Sequence, residues 1–253
     1  MNEIKEVADY SNLKGCADEA HFNDFVPTAN GELVAPLITK QGVKNADYLW
    51  RQSQVIGEHK ILETDFAQTS ETLAKVEKAF SNFPDADFAN DHDPLFRELF
   101  SILRVPIRRI IEKANRQIKE TKLVLKLANH RGIVFLVNDE FRSAPPSIVM
   151  GIIQSILQEK ERYRSVDGVV YLTNHYVELS ENDLANLLWV PIYKGYPSDA
   201  LVDFVDGLGS RWSSYMEAII GPFAGSSRGG SVNWDRAHVV QGPRRQERFE
   251  GHI

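Results

Sequence analysis

The sequence predicts an α/β protein with a mixed central sheet flanked by helices. Two continuous apolar runs, GIVFLVND at 132–139 and VDGVVYLTN at 166–174, are typical of strands covered on both faces. Between them, APPSIVMGIIQSIL at 144–157 opens with Pro-Pro and continues as an apolar helix. A strand, a helix and a second strand in this order predict two parallel strands joined by a right-handed crossover.

The segments before the first buried strand predict a hairpin followed by helices. Residues 1–40 are mixed and weakly patterned, whereas 43–50 and 54–62 resemble two strands joined by the polar turn RQSQ. Residues 69–80, TSETLAKVEKAF, begin with Ser/Thr capping candidates and place apolar residues at helical spacing. A loop rich in Pro, Asp and Asn then covers 81–94.

A long amphipathic helix is expected to begin at Pro106. Its apolar residues recur at steps of three and four and form a single stripe: Ile107, Ile110, Ile111, Ala114, Ile118, Thr121 and Leu125. Later in the chain, Pro191 makes 186–195 a better edge strand than a central one. Residues 198–220 predict a helix with a Gly-rich break.

The domain organisation follows from these patterns. We expect one domain over residues 1–220, with its core at about 15–175. Residues 221–253 are rich in Gly, Ser and Arg, which predicts a flexible C-terminal tail.

Composition limits the classes of function. A net charge of −6 argues against a protein coated in basic surface, although it leaves room for a local basic groove. The single cysteine, Cys16, excludes an intrachain disulfide framework and indicates a reducing, cytoplasmic compartment. The first ten residues carry no apolar signal-peptide core, and no apolar run is long enough to cross a membrane.

The predicted hairpin carries the main chemical signal. Glu58 and Lys60 lie two apart in the second strand and therefore share a face, and Asp47 stands near the start of the first strand. A hairpin brings Asp47 beside Glu58, and two adjacent carboxylates need a cation to stay ionised. Oxygen ligands favour Mg²⁺ or Mn²⁺, and a neighbouring lysine can hold or activate a water. These groups suit metal-assisted phosphodiester hydrolysis.

The Glu-x-Lys triplet is weak by itself, because the sequence contains three: Glu3–Lys5, Glu58–Lys60 and Glu120–Lys122. Only the middle one lies in an apolar strand pattern with an aspartate strand before it. The alternative is a half-exposed hairpin whose solvent face carries a Glu–Lys pair.

Asp47, ten further residues, Glu58-His59-Lys60 and a following helix together resemble the PD-(D/E)XK nuclease superfamily. The resemblance covers roughly residues 15–175, and Ala46 replaces the proline that often precedes the aspartate. It implies a restriction-endonuclease-like core and an Mg²⁺-dependent nuclease that acts on DNA rather than RNA. By resemblance, Asp47 and Glu58 are the metal carboxylates, the carbonyl of His59 completes the metal shell, and Lys60 is the catalytic lysine. The His59 side chain points to the opposite face and is expected to pack.

The resemblance also implies two outlying site residues. Many relatives supply a carboxylate from the first helix, for which Glu19 is the candidate and Asp18 and Glu32 are rivals. Several branches place a glutamine on the helix after the motif strand, and Gln117 is the candidate for that role. Each acid is better explained as solvated surface, and Gln117 is equally well explained as an ordinary boundary residue.

A basic band follows the same long helix: Arg104, Arg108, Arg109, Lys113, Arg116 and Lys119. It suits the tracking of a phosphate backbone, and it equally suits a solvated helix face. Asp65, just after the motif strand, is interpreted as a helix cap rather than a metal ligand.

Two functional classes remain, since no phosphate-binding glycine loop, nucleophile elbow or zinc spacing is present. The first is an Mg²⁺- or Mn²⁺-dependent nuclease. The second is a catalytically silent nuclease-like subunit that binds or assembles a larger complex. Expected partners are nucleic acid and either a second copy of the chain or a protein that delivers substrate.

Overall fold

The computed structural model describes residues 17–39, 42–84, 93–159, 161–179, 185–223, 234 and 237–239. It contains five helices in these ranges: α1 (Glu19–Thr28), α2 (Ser70–Asn82), α3 (Pro94–Val124), α4 (Pro146–Leu157) and α5 (Asp199–Ile220). Its first five strands are β1 (Glu32–Leu33), β2 (Tyr48–Trp50), β3 (Val55–Leu62), β4 (Arg131–Asn138) and β5 (Gly168–Thr173). The other strands are β6 (Val177–Glu178), β7 (Ala185–Asn186), β8 (Trp189–Tyr193) and β9 (His238–Val239).

Six strands form one mixed sheet in the order β1-β2-β3-β4-β5-β8. The strands β1, β2 and β3 run antiparallel, β3, β4 and β5 run parallel, and β8 closes the sheet antiparallel to β5. The predicted hairpin, the two parallel buried strands and the edge strand at Pro191 are therefore confirmed. A second, small sheet has the order β7-β6-β9.

Helices cover both faces of the sheet, as the fold class predicts. Alternate residues of β3 and β4, such as Ile56 and Val134, pack against α3 and α4. The intervening residues, such as Val55 and Phe135, pack against α1 and α5. Because side chains alternate along a strand, the two apolar layers separate cleanly, and the central strands β4 and β5 are apolar on both faces.

Helix α3 begins twelve residues earlier than predicted, at Pro94 rather than Pro106. The Asp93 side chain accepts a hydrogen bond from the Leu95 N–H at 2.7 Å, and Pro94 at the first helical position lacks an N–H that would need a partner. Pro106 lies inside the helix, so the prediction that it opens the helix is wrong.

Helix α5 has no break at its glycines. Gly209 lies against the indole of Trp189, where a Cβ would come within 2.6 Å of the ring nitrogen. The glycine thus allows close packing of α5 on β8 rather than interrupting the helix. The prediction of a Gly-rich break is wrong because it ignored this tertiary contact.

Two other predictions need adjustment. The strand predicted over 43–50 is formed only at Tyr48–Trp50. Most of the predicted tail, and residues 85–92 of the predicted loop, lie outside the described residues. Within the tail, Ala237 is buried and β9 pairs with β6. Among the described helices, none combines the length and apolarity needed to span a membrane.

Candidate metal centre

Asp47 and Glu58 meet where β2 begins beside β3. The Asp47 N–H donates to the Gly57 carbonyl at 3.2 Å, which continues the hairpin ladder by one residue. The Asp47 carboxylate accepts a hydrogen bond from the His59 N–H at 2.8 Å. This bond holds Asp47 across from the motif strand, next to the buried side chain of Glu58. The structure therefore brings these two predicted residues together.

The Glu58 carboxyl is fully buried, and this excludes the alternative of a solvent-facing Glu–Lys pair. Burial, reinforced by the charge of Asp47, raises the pKa of Glu58 to about 8. Burial also raises the pKa of Asp47. The two carboxyls lie within hydrogen-bonding reach of each other, yet two carboxylates have no hydrogen to share. When Glu58 is ionised, its Oε2 has no donor among the described residues.

Lys60 supplies the cation on the same face. Its ammonium donates to Glu58 Oε1 and, at 3.0 Å, to the carbonyl of His59. The Lys60 side chain is 16% exposed, so the charged end of this buried cluster opens toward solvent. The ammonium thus contacts the two groups, Glu58 and the His59 carbonyl, that the sequence assigns to a metal ion.

Helix α3 fixes the chain that leads into Asp47. The Thr121 hydroxyl accepts from the Ala46 N–H at 2.7 Å, and the Gln117 amide donates to the Asn45 carbonyl at 3.0 Å. The Glu120 carboxylate accepts from the Lys44 N–H at 2.9 Å. Three side chains therefore each hold one backbone group in three consecutive residues. Sequence patterns give no sign of this role, because Thr121 merges with the apolar stripe.

Gln117 approaches the site through the backbone of Asn45, two residues before Asp47. Its Oε1 is buried and has no partner within the described part of the chain. The amide therefore has one free acceptor, while its N–H group is used for positioning.

The His59 side chain packs on the opposite face, as predicted. It lies beside the Phe22 ring, and its Nε2 is 3.1 Å from the carbonyl of Ala17. Burial lowers the pKa of His59 to about 4, so the ring is neutral near pH 7. The same Ala17 donates its N–H to Asn174 Oδ1 at 3.0 Å, and the Asn174 amide donates to Asp139 at 3.1 Å. A series of hydrogen bonds thus connects β3 to the start of α1 and the end of β5.

The first-helix carboxylates do not complete a metal shell. Glu19 is exposed in the first turn of α1, although its charge helps to raise the pKa of Asp47. Asp18 caps α1 by accepting from the His21 N–H at 2.9 Å, and Glu32 pairs with Arg51. The acidic rivals of Glu19 therefore have local structural roles.

Two further expectations are wrong. Asp65 does not cap α2, because the Thr69 hydroxyl takes that place and the Asp65 carboxylate accepts from the Ser143 hydroxyl at 2.6 Å. The basic band is not continuous either, because Arg104 turns toward α4 and pairs with Glu159. Both deviations arise from long-range contacts that local patterns do not encode.

Within the described ranges, no group of three His, Cys, Asp or Glu side chains gathers as a metal site. Two carboxylates and one main-chain carbonyl are nevertheless oxygen donors of the kind that Mg²⁺ accepts, usually together with several waters. The buried Oε2 of Glu58, which lacks a donor, fits such an ion. The residues present are therefore compatible with one hydrated divalent cation.

No protein family model matches the sequence, and neither the curated proteins nor the solved structures gave a match. Function therefore has to be inferred from the site itself.

Proposed function

We propose that this protein is a metal-dependent nuclease with a restriction-endonuclease-like core, which hydrolyses phosphodiester bonds of nucleic acid, DNA in preference to RNA. The observation that carries the proposal is the fully buried Glu58 with the partly buried Asp47 and Lys60 beside it on adjacent strands. Burying a carboxylate is costly unless a partner compensates it. A site that keeps one fully buried and one partly buried carboxylate beside a lysine is suited to holding a cation and a phosphate.

Each residue has a distinct part in the proposed reaction. Asp47, Glu58 and the carbonyl of His59 would hold one Mg²⁺ or Mn²⁺, which would supply a Lewis acid for the phosphoryl oxygen and lower the pKa of the water that acts as nucleophile. The Lys60 ammonium stabilises the negative charge that develops on the phosphate. The bond from the His59 N–H keeps Asp47 in place, and α3 holds the backbone before it.

A second candidate function is a nuclease-like subunit that binds or assembles a larger complex. The net charge of −6 and the lack of a third acidic ligand in the described residues favour it. In that case the Glu58–Lys60 pair has a purely structural role.

The test compares wild type with Lys60→Ala on plasmid, linear duplex, single-stranded DNA and RNA, with Mg²⁺ and with Mn²⁺. Removing a preorganised donor of this kind costs on the order of 10²–10³ in rate. We expect cleavage by wild type and its collapse in Lys60→Ala at an unchanged melting temperature. The exposed Lys75→Ala, from the pair with Glu71 on α2, is the matched control.

Equal cleavage by wild type and Lys60→Ala would assign the activity to another site or to a contaminant. No cleavage of any substrate by wild type would favour the binding or assembly subunit.

A further inference from the structure

A cleft of about 240 Å³ lies between α3 and the segment that leads to Asp47, lined by Gly42, Lys44, Lys113, Arg116, Gln117 and Glu120. Three of these side chains are cationic and one is anionic, so the lining carries a formal charge of +2. This local charge is opposite to the net charge of the chain, which is −6. A small, basic cleft on an acidic protein favours an anion.

The one acidic side chain in the cleft lining, that of Glu120, already has a hydrogen-bond partner. Glu120 accepts from the Lys44 N–H at 2.9 Å, which fixes the wall of the cleft. Lys44, Lys113 and Arg116 form no side-chain ion pair with any other described residue. Their charges are therefore available to a ligand.

Gln117 also lines the cleft. Its Nε2 donates to the Asn45 carbonyl, and its buried Oε1 lacks a donor within the described ranges. The bond from Nε2 ties this part of the cleft lining to the segment that leads to Asp47.

The position of the cleft suggests which phosphate it holds. Its wall at Lys44 lies three residues before Asp47, and α3 holds the intervening backbone through Gln117 and Thr121. The cleft and the metal centre are thus attached to the same short segment. An anion bound here would lie beside the same segment as a ligand bound at the metal centre.

We propose that this cleft is a subsite for one backbone phosphate of the nucleic-acid strand whose neighbouring phosphodiester bond lies at the metal centre. The inference rests on the proposed function and identifies its substrate as a polymer rather than a mononucleotide. Only part of the basic band of α3 is then used: Lys113 and Arg116 contact the strand. Arg109 is not in the cleft lining, and its charge helps to lower the pKa of Glu71 on α2.

The experiment measures binding of a labelled DNA duplex and of a labelled single strand, with Ca²⁺ in place of Mg²⁺, between 50 and 200 mM salt. The affinity for duplex DNA falls as salt rises, and each lost phosphate contact makes the slope of log K against log salt shallower by about 0.9. Between 50 and 200 mM salt, the fall in affinity therefore becomes about 3.5-fold smaller. We expect this change in Arg116→Gln and Lys113→Gln. Arg109→Gln, which removes the same charge from the same helix, should keep the wild-type slope.

The binding measurement separates the two proposals. Changed slopes in a protein that never cleaves would support the subsite and refute the nuclease. Cleavage by wild type with equal slopes in all variants would refute the subsite and leave the nuclease standing.

A competition arm identifies the source of the phosphate. If inorganic phosphate binds wild type and not Arg116→Gln, while DNA affinity is the same in both, the cleft holds a free anion and the inference is wrong. Equal melting temperatures establish that each variant is folded. Arg116→Lys, which keeps the charge, should retain most of the wild-type slope.

Discussion

The carboxyls of Asp47 and Glu58 lie within hydrogen-bonding reach of each other, and Glu58 is fully buried. Without a metal ion, the pair is most stable when it carries a proton, even though Lys60 is close. With a cation, both groups can ionise. A divalent ion therefore relieves the repulsion between these two carboxylates. This has measurable consequences for variants of the site.

Glu58 should make the metal-free protein less stable as pH rises. Its pKa is about 8 in the folded state and ordinarily 4.5, so the folded state binds the proton more tightly. The resulting stabilisation is fully present below about pH 4.5 and is lost as pH rises through about 8. In urea unfolding with EDTA, the free energy of unfolding of Glu58→Gln should rise relative to that of wild type as pH increases. By pH 9 this relative increase should reach a few kcal/mol.

The exposed Glu77→Gln on α2 is the control and should follow wild type across the same range. A constant difference between wild type and Glu58→Gln from pH 5 to pH 9 would show that Glu58 ionises as an ordinary carboxyl.

Binding of Mn²⁺ should strengthen with pH. Below about pH 8 the ion must displace a proton from Glu58, so the apparent affinity should rise by up to about tenfold per pH unit and then level off. Calorimetry in buffers of different ionisation enthalpy should detect the released proton. Glu58→Gln should abolish binding, and Glu32→Gln, which alters the surface pair with Arg51, should not. An affinity independent of pH from 6 to 8 would contradict this linkage.

Lys60→Ala should bind Mn²⁺ at least as tightly as wild type. The ammonium contacts Glu58 and the His59 carbonyl, so it competes with an ion for the same oxygens. Removing it also removes a like charge from the neighbourhood of the ion. Titration calorimetry at one pH decides the point. A large loss of affinity in Lys60→Ala, comparable with that in Glu58→Gln, would mean that the lysine helps to assemble the centre.

Asn174→Ala should destabilise the fold through α1. The substitution leaves the buried Ala17 N–H without its acceptor, which costs about 1–3 kcal/mol. For a chain of this size, each kcal/mol lowers the melting temperature by roughly 2–4 °C. Asn82→Ala, at the exposed end of α2, should change little. An unaltered melting temperature in Asn174→Ala would indicate that water replaces the lost bond.

Two glycines should respond oppositely to alanine. A Cβ at Gly132 would lie 2.0 Å from the Ser165 carbonyl oxygen, a clash with backbone that forces the end of β4 to move. Gly207 in α5 has nothing within 4 Å of the same position. Chemical denaturation should therefore show Gly132→Ala to be destabilised by more than about 1 kcal/mol. Gly207→Ala should be stabilised by up to about 1 kcal/mol, because alanine favours helix. Equal effects would rule out the backbone clash.

The sequence predicted the parts of the fold that depend on local periodicity. The buried strands around Phe135 and Val170 are apolar without interruption, and only a strand covered on both faces requires that pattern. The neighbourhood of Asp47 and Glu58 was also predictable, because a short hairpin brings such positions side by side.

What the sequence did not reveal are bonds between side chains and distant backbone. Thr121 follows the apolar stripe of α3 and gives no sign that its hydroxyl holds the Ala46 N–H. Asn174 and Ala17 likewise have no periodic relationship. The start of α3 at Pro94 depended on one capping aspartate within a loop of many acidic residues, so composition alone could not place it.

The bond between Ala17 and Asn174 joins residues that are 157 positions apart in the chain. The hairpin of β2 and β3 closes locally, but the bond that anchors the start of α1 can form only once Asn174, which follows β5, is in place. Contacts between distant positions form late, because the intervening chain must first be ordered. We therefore expect the domain to become ordered in two stages during synthesis. A ribosome-bound fragment ending before Asn174 should already contain Asp47, Glu58 and Lys60, but with α1 still undocked.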